Sequence, residues 1–333
     1  MSSLKKKEVV TTILEDKKIN LDEIKNKLQS DKINLIENFE KLHIFEGPNK
    51  YKVNVKVKNY VDGSKYEGEV RENKRNGKGI YHYANGDKYF GEWLFDKFNG
   101  YGVYAFKNGE RYQGNLINGI KNGKGIYYYL NGNIYDGEWE KDRKCGYGSY
   151  SYYSTGEKYE GEWVSGEKQG QGKYQFAYGE SYTGSFVKGL KQGYGEMFYK
   201  DGSQYKGDWF NDMAHGEGQF IHDNKDIYEG SWVKGEKEGY GILKFADGNL
   251  YKGFFVNGNM EGKGEFSFTS GDQYQGEFLN NRRHGHGIYY YSNGDKYEGQ
   301  WSNNKKHGEG KMIYDNGIQE KMEFEFGELI PNL

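Results

Sequence analysis

Three histidines and one cysteine are the first residues of this sequence that could do chemistry, as metal ligands or as a nucleophile. His215, His284 and His307 stand just before a Gly-x-Gly pair, where Cys145 also stands in its own copy of a repeated segment. Equivalent positions in adjacent copies would lie about 10 Å apart, too far to share a zinc ion with bonds of about 2 Å. His284 and His286 share a strand face, but no third ligand is evident. We interpret all of these as repeat positions, and Cys145 as a variant without a fixed histidine or acid beside it.

Recurring carboxylates are a second set of residues with catalytic potential. An acid often follows the glycine of a Tyr-x-Gly motif, and paired acids hydrolyse glycosidic bonds. Such chemistry needs one special pair, whereas this position recurs along the chain, so we interpret the acids as hydrogen-bond acceptors or partners of a cross-strand cation. The acids are Glu69, Glu92, Glu138, Glu162, Asp208 and Glu277. The Gly-x-Gly pairs do not match a phosphate-binding loop either, so no catalytic residue, cofactor or metal is expected.

The element that must position these residues is a tandem repeat of 23 residues, in which a Tyr-x-Gly motif precedes a Gly-x-Gly pair. The repeat tyrosines are Tyr66, Tyr89, Tyr112, Tyr135, Tyr159, Tyr182, Tyr205, Tyr228, Tyr251, Tyr274 and Tyr297. We number the eleven copies by these tyrosines. Every interval is 23 residues except that from Tyr135 to Tyr159, which is 24.

Each copy is predicted to form a two-stranded antiparallel hairpin. In Tyr-x-Gly-x-Trp, alternate residues share one strand face, which we call the aromatic face. Its glycines are Gly68, Gly91, Gly114, Gly137, Gly161, Gly184, Gly207, Gly230, Gly253, Gly276 and Gly299. The last position holds Trp93, Trp139, Trp163, Trp209, Trp232 and Trp301, which are all six tryptophans of the chain, and otherwise Val70, Leu116, Phe186, Phe255 or Phe278. A six-residue connection such as 71–76 is predicted to lead to the second strand.

Stacking of copies must supply the stability that one hairpin lacks. Paired glycines such as Gly77 and Gly79 leave bare backbone on the aromatic face, on which rings can lie flat. Eleven copies at about 4.8 Å per strand predict an elongated, twisted, single-layer sheet on the order of 100 Å long, without an enclosed core.

Three irregularities interrupt the pattern. The additional residue of the fourth copy lies in 149–152 and predicts a bulge that bends the ribbon. In the seventh copy His222 to Lys225 replaces the usual aromatic-x-x-Gly turn, so an altered joint is expected. Residues 320–333 read as a degenerate terminal repeat and tail, which would close the exposed edge strand.

Residues 1–58 lack the period and are predicted to form a separate N-terminal module, followed by the array at 59–319. Three short helical segments and a small hairpin, with Tyr51, Val53, Val55 and Val57 alternating, resemble a winged helix. DNA binding is one interpretation. A protein-contact or capping domain is favoured, because basic and acidic residues are nearly balanced there and the third segment carries Glu37 and Glu40.

The composition argues against several classes of protein. A net charge of -2 and a pI near 6.4 argue against binding nucleic acid along the chain. There is no run of 18 apolar residues and no apolar leader, so neither a membrane span nor a secretory signal is expected. A single cysteine is consistent with a reducing, cytoplasmic setting. Mean hydropathy of -1.05 leaves too little core for a compact globule, while 17% aromatic residues argue against disorder.

A row of cations is the pattern with the most functional content. The residue two before the glycine pair is basic in eight of eleven copies, namely Arg75, Lys121, Lys144, Lys168, Lys191, Lys237, Arg283 and Lys306. We call this set the basic row and expect it along one long edge of the ribbon, in steps of about 10 Å. It either keeps the edge solvated and unpaired or binds an acidic partner, such as a protein segment or phospholipid head groups. On the aromatic face itself we expect a helix or peptide of a partner.

The motifs Tyr89-x-Gly91-Glu92-Trp93, Tyr159-x-Gly161-Glu162-Trp163 and Tyr297-x-Gly299-x-Trp301, with His307-Gly308-x-Gly310, resemble MORN repeats. The resemblance covers about residues 60–324. It implies an extended sheet of hairpins that serves as a binding platform, as in radial-spoke head proteins and junctophilins.

From this resemblance we expect a non-enzymatic scaffold in a large cytoskeletal assembly, with a ciliary axoneme of the radial-spoke head type as the setting. The expected partners are other proteins of that complex, and a homodimer stays open. The alternative is a peripheral membrane tether that binds anionic phospholipid through the basic row.

Overall fold

The computed structural model describes residues 55–330, and all of the regular structure in that range is β. The strands are β1 (Val55–Asn59), β2 (Lys65–Arg71), β3 (Lys74–His82), β4 (Lys88–Leu94), β5 (Lys97–Ala105), β6 (Arg111–Ile117), β7 (Ile120–Tyr128), β8 (Ile134–Glu140), β9 (Arg143–Ser151), β10 (Lys158–Val164), β11 (Glu167–Gln175), β12 (Ser181–Val187), β13 (Leu190–Phe198), β14 (Gln204–Phe210), β15 (Met213–Ile221), β16 (Ile227–Val233), β17 (Glu236–Lys244), β18 (Leu250–Val256), β19 (Asn259–Ser267), β20 (Gln273–Leu279), β21 (Arg282–Tyr290), β22 (Lys296–Ser302), β23 (Lys305–Ile313), β24 (Gln319–Glu325) and β25 (Glu328–Leu329).

These strands form a single open antiparallel sheet, in which each strand pairs with the strands before and after it in the chain. Each copy contributes a seven-residue strand followed by a nine-residue strand, as β2 and β3 do in the first copy. The predicted single-layer sheet of stacked hairpins is therefore confirmed. The core is the row of buried rings along one face of this sheet.

The N-terminal boundary of the sheet lies slightly before the predicted start of the array. β1 pairs with β2, with Val57 opposite Glu67, so residues 55–58 continue the sheet of the repeats. The predicted helical, winged-helix-like part of the N-terminal module, including Tyr51 and Val53, lies outside the described residues. None of the described residues forms a helix long and apolar enough to cross a membrane.

Two-residue turns close all of the hairpins. In the fifth copy the turn residues Ser165 and Gly166 both have positive φ, at 51° and 94°, which is the signature of a type I′ turn. This turn matches the natural twist of paired strands. The predicted six-residue connection was wrong, because residues 74–76 already belong to β3 and only 72 and 73 form the turn.

The two glycines of each Gly-x-Gly pair have different reasons to be glycine. Between the pairs Gly68–Gly79 and Val70–Arg75, one residue of β2 opposes three of β3, so the second strand bulges there. Gly77 lies in this bulge at φ 91°, a conformation that disfavours a side chain. Gly79 instead lies beneath a ring. Bare backbone for rings thus explains the second glycine, and backbone conformation explains the first.

The two irregular joints keep the regular pairing. The additional residue of the fourth copy does not form the predicted bulge, because β9 and β10 stay in continuous register from Ser151–Lys158 to Gly148–Gly161. It lengthens the connecting turn, where Tyr152 N donates to Glu157 O. In the seventh copy His222 forms the usual turn hydrogen bonds, and Lys225 takes the glycine position at φ 76°.

The C-terminal end of the described sheet is tapered. β24 pairs along its length with β23, with Phe324 opposite Gly308, but β25 covers it only at Phe324 and Glu325. Residues 319–322 of β24 therefore have no strand on their other side within the described residues, and the closing role of the degenerate copy stays a prediction.

Candidate functional site

Each repeat tyrosine lies across the glycines of its own hairpin. A Cβ atom built on Gly172 would lie 2.5 Å from the Tyr159 hydroxyl oxygen and 2.6 Å from Cε2, and one on Gly161 would lie 2.5 Å from the same oxygen. Every one of the eleven repeat tyrosines is exposed by 2% or less. The rings therefore pack on bare backbone, and any side chain at these glycines would displace the ring.

The hydroxyl group of each repeat tyrosine is also bound. It donates to the carbonyl oxygen three residues later, as Tyr66 does to Glu69 O at 2.7 Å and Tyr205 to Asp208 O at 2.8 Å. All eleven copies repeat this bond, at 2.7 to 3.3 Å. Burial raises the pKa of these tyrosines well above its ordinary value. They are structural groups that stay protonated.

Each tryptophan joins its copy to the preceding one. Trp163 Nε1 donates to Gly148 O of the previous copy at 3.0 Å, and the other five tryptophans make the equivalent bond. The Trp163 ring stands edge-on to both Tyr135 and Tyr159, with centroids 5.3 and 5.2 Å apart. Rigidity between neighbouring copies therefore comes from a shared ring and a directed hydrogen bond.

The basic row lies on the aromatic face, next to the hairpin turns. Arg75 pairs with Val70 across the hairpin, and its guanidinium group lies 4.3 Å from the centroid of Trp93. In the same way, Lys144 Nζ lies 4.2 Å from the ring centroid of Trp163. All eight cations cover at least one ring within 6 Å, and in the second copy, which has no cation here, Phe98 stacks on Tyr89 instead. The charged groups of these residues thus lie directly on rings of the core.

Desolvation by the rings affects the charge of this row. Burial lowers the pKa of Lys144 to about 8, and the charge of Lys168 contributes to the shift. Burial lowers the pKa of Lys168 to about 8 as well. Whether the row binds an acidic partner stays a prediction. Its members nevertheless already contact groups of the protein, such as Asp96, which lies 3.0 Å from Arg75 Nε.

Next to the buried rings runs a second line of half-buried rings, which we call the aromatic ladder. Its rings come alternately from the end of a second strand and from the following turn, with neighbouring centroids 4.5 to 6.2 Å apart. It runs unbroken through Tyr60, Tyr81, Tyr83, Tyr104, Phe106, Tyr127, Tyr129, Tyr150, Tyr152, Tyr174 and Phe176. This ladder holds accessible rings of the aromatic face, whereas the repeat tyrosines are covered.

The residues considered for metal or acid–base chemistry are dispersed. Among residues 55–330, no group of three histidine, cysteine or acidic side chains could hold a metal ion. His307 stacks on Phe326 with centroids 4.8 Å apart. Burial raises the pKa of the Cys145 thiol, which makes its thiolate scarcer. Glu162 Oε1 accepts from Gln171 N at 2.8 Å, so this recurrent acid serves as a backbone acceptor at the bulge.

Sequence reasoning missed an apolar row on the opposite face of the sheet, which we call the outer face. The last residue of the first strand, directly after the Trp position, is aliphatic or aromatic in the fifth to tenth copies and is exposed by 39% to 57%. The six residues are Val164, Val187, Phe210, Val233, Val256 and Leu279, and we call them the apolar rim. The 23-residue recurrence of an apolar residue after the Trp position was the signal that would have revealed it.

The ring-on-glycine hairpins, joined by tryptophan, define a ribbon of repeats that presents surfaces. A family model for the MORN repeat matches residues 66–88, 89–111, 112–134, 135–156, 159–179, 182–204, 205–227, 228–250, 251–273, 274–296 and 297–319. The chain therefore belongs to the MORN-repeat family, whose members are generally non-enzymatic scaffolds for interaction with proteins or membranes.

Other comparisons are more distant, and no curated protein matches the chain. The SAS-4 (dCPAP) TCP domain of Drosophila melanogaster, solved in complex with a proline-rich motif of Ana2 (dSTIL), is similar at 14% identity over 46% of this chain and 83% of that one, with a TM-score of 0.31. The TCP10 domain of Danio rerio CPAP is 11% identical over 67% and 99%, with a TM-score of 0.33. A virginiamycin B lyase from Staphylococcus aureus is 14% identical over 83% and 86%, at 0.13. Such TM-scores support no conclusion about shared function.

Proposed function

We propose that this protein is a non-enzymatic scaffold that docks a segment of a partner protein along the aromatic ladder. The unbroken, half-buried ladder from Tyr60 to Phe176 carries this proposal, because a long line of accessible Tyr and Phe rings offers large apolar area at small cost in conformational entropy. The ladder is packed against the buried tryptophans, as Tyr127 is against Trp139 and Tyr150 against Trp163, each with ring centroids 6.1 Å apart. It is therefore a preformed surface that does not have to be ordered on binding.

The chemistry of the occupant follows from what borders the ladder. Cations of the basic row lie over its rings, as Lys168 does over Tyr174 at 4.2 Å and Lys144 over Tyr150 at 4.6 Å. A helix or extended peptide with apolar side chains for the rings and acidic side chains for these cations would complement both. The partner we propose is such a segment of another protein in the same assembly.

For the cellular setting we propose a large cytoskeletal assembly in the cytoplasm, and specifically a ciliary axoneme of the radial-spoke head type. Membership in the MORN-repeat family supports this setting, since resemblance to radial-spoke head proteins suggested it. The rigid ring-and-hydrogen-bond joint between copies supports a spacer role in such an assembly.

The test combines purification of the tagged full-length chain from its own cells with variants of the ladder. Phe106→Ser/Tyr129→Ser removes two half-buried ladder rings from the turns of two neighbouring copies, and Tyr178→Ser, at a ring exposed by 77% outside the ladder, is the matched control. Circular dichroism should show both variants folded. We expect the double variant to lose the proteins that copurify with the wild type and the control to keep them.

Hydrogen exchange adds a direct reading of the docked surface. Peptides from residues 104–129 should exchange more slowly in the assembled protein than in the isolated chain. If the double variant keeps the whole complex, or if those peptides exchange equally in both states, docking on the ladder is refuted.

A peripheral membrane tether is the second candidate, and the regular spacing of eight cations on one face favours it. Their charged groups lie over rings, so anionic head groups would have to reach them from the solvent side of these ring contacts. Pelleting of the chain with phosphatidylserine vesicles that falls with salt, and that disappears in Lys121→Glu/Lys144→Glu/Lys168→Glu, would support the tether. Retained copurification without pelleting would support the protein scaffold.

A further inference from the structure

The apolar rim is an interaction surface that the docking function on the aromatic face does not use. Its six members occupy the same position in six consecutive copies, so they recur in steps of about 10 Å along the turn-bearing edge. Leu190 and Met213, on the neighbouring strands, widen it and are exposed by 42% and 41%. Apolar residues scattered singly on a surface are ordinary, whereas a continuous exposed row indicates an interface.

The charges beside the rim distinguish between occupants. In the turns of the fifth to tenth copies and the residues that follow them, Lys188, Lys234 and Arg282 are balanced by Glu167, Asp212 and Glu236. A surface that binds anionic lipid carries an excess of positive charge, which this edge does not have. Balanced and alternating charge is instead what a self-complementary contact requires, because each sign must meet its opposite on an identical surface.

We propose that the apolar rim pairs with the apolar rim of a second copy of this chain, antiparallel about a twofold axis between the seventh and eighth copies. This arrangement brings Phe210 next to Val233 at the centre, flanked by Val187 with Val256 and Val164 with Leu279.

The same axis brings opposite charges together in two of the three pairs of copies, and in the third pair Lys188 faces the neutral Asn257. Glu167 of the fifth copy meets Arg282 of the tenth, and the turn with Asp212 meets the turn with Lys234. No equivalent positions then carry like charges. Parallel pairing of the two ribbons would place each of these six charged residues opposite its own copy, which is destabilising.

The axis also predicts where the contact ends. Leu94, in the second copy, occupies the rim position and is exposed by 45%. The axis would relate the second copy to a thirteenth, and the array has eleven copies, so Leu94 has no counterpart across the contact. Leu94 is therefore a matched control for the central rim residues, with the same position in the repeat and similar exposure.

The experiment is the mass of the full-length chain by light scattering and sedimentation at about 1 to 50 µM. The wild type and Leu94→Ser should be dimers, and Phe210→Ser/Val233→Ser should be a monomer with unchanged circular dichroism. Glu167→Arg alone and Arg282→Glu alone should weaken the dimer at least tenfold, and the two together should restore it.

Several results would overturn the proposal. They are a monomeric wild type across this range, a dimer insensitive to Phe210→Ser/Val233→Ser, or a double charge reversal that does not recover dimerisation. Pelleting of a monomeric wild type with phosphatidylserine vesicles that is lost in Phe210→Ser/Val233→Ser would assign the rim to a lipid surface instead. Ladder variants such as Phe106→Ser/Tyr129→Ser should leave the dimer intact, so failure of this proposal and failure of the docking function can be told apart.

Discussion

Replacing a ring-bearing glycine tests the packing that every copy depends on. In Gly172→Ala the new methyl group would lie 2.5 Å from the hydroxyl oxygen of Tyr159, well inside van der Waals contact. The ring has no free direction, because its hydroxyl donates to Glu162 O at 2.9 Å and its edges contact Trp163 and Phe186. Overpacking costs about 1 to 3 kcal/mol and loss of the hydrogen bond about 1 kcal/mol. We therefore expect a loss of about 2 to 4 kcal/mol in unfolding free energy.

The matched control is Gly166→Ala in the same copy. Gly166 has φ 94° and a Cβ there would meet nothing within 4 Å, so only backbone strain of about 1 kcal/mol is added. Urea unfolding by circular dichroism gives the free energies. Hydrogen exchange of peptides from 143–187 localises the loss, which is needed because repeat arrays can open in parts. If Gly172→Ala costs no more than Gly166→Ala, the ring-on-glycine account is refuted.

Three further predictions concern other contacts. Trp163→Phe keeps a ring in a position that Phe186 fills in the next copy but removes the bond to Gly148 O, so it should cost about 1 to 2 kcal/mol in urea unfolding, whereas no loss would show that the bond is dispensable. Lys225→Gly relieves a side chain held at φ 76° and should raise the free energy of unfolding in urea by about 0.5 to 1 kcal/mol. A lower free energy of unfolding would contradict the strain argument. The pKa of Lys144 is lowered to about 8 in the folded protein, so the unfolded state binds the proton more tightly, and unfolding free energy should rise as pH increases from about 8 towards 10. Lys144→Met should reduce this rise, and an unchanged pH dependence would show that Lys144 is not desolvated.

Much of the fold followed from the period of the sequence. Tyr-x-Gly-x-Trp fixed which residues share a face, since alternation along a strand leaves no other arrangement, and the second glycine of each pair was correctly assigned to ring packing. The turns were not predicted, although Asn118-Gly119 and Asn257-Gly258 are strong type I′ signals. The bulge was not predicted either. Because it adds two residues to the second strand, residues 74–76 were assigned to a connection although they belong to β3. The additional residue of the fourth copy could be assigned to a strand or to a turn by spacing alone, and only the pairing distinguishes them.

The candidate site was predicted in part. The position of the basic row was identified, but its packing on rings was not, even though its exceptions Phe98, Ala214 and Met260 are all apolar and indicate a position that faces the core. The tryptophan bond to the preceding copy was beyond the sequence, because it depends on where the indole nitrogen points. The apolar rim was not predicted, because its position lies one residue beyond the Tyr-x-Gly-x-Trp motif and outside the aromatic face.

The shared tryptophan has a consequence for length. Each joint connects only adjacent copies, as the hydrogen bond from Trp209 Nε1 to Gly195 O does. The joints therefore do not limit the number of copies in the array. The length of the sheet is then set by the number of copies alone. Excising a whole 23-residue unit should bring the two ends about 10 Å closer and leave each surviving joint as it was, so gene-level gain or loss of units would adjust the span of the molecule without redesigning its surface.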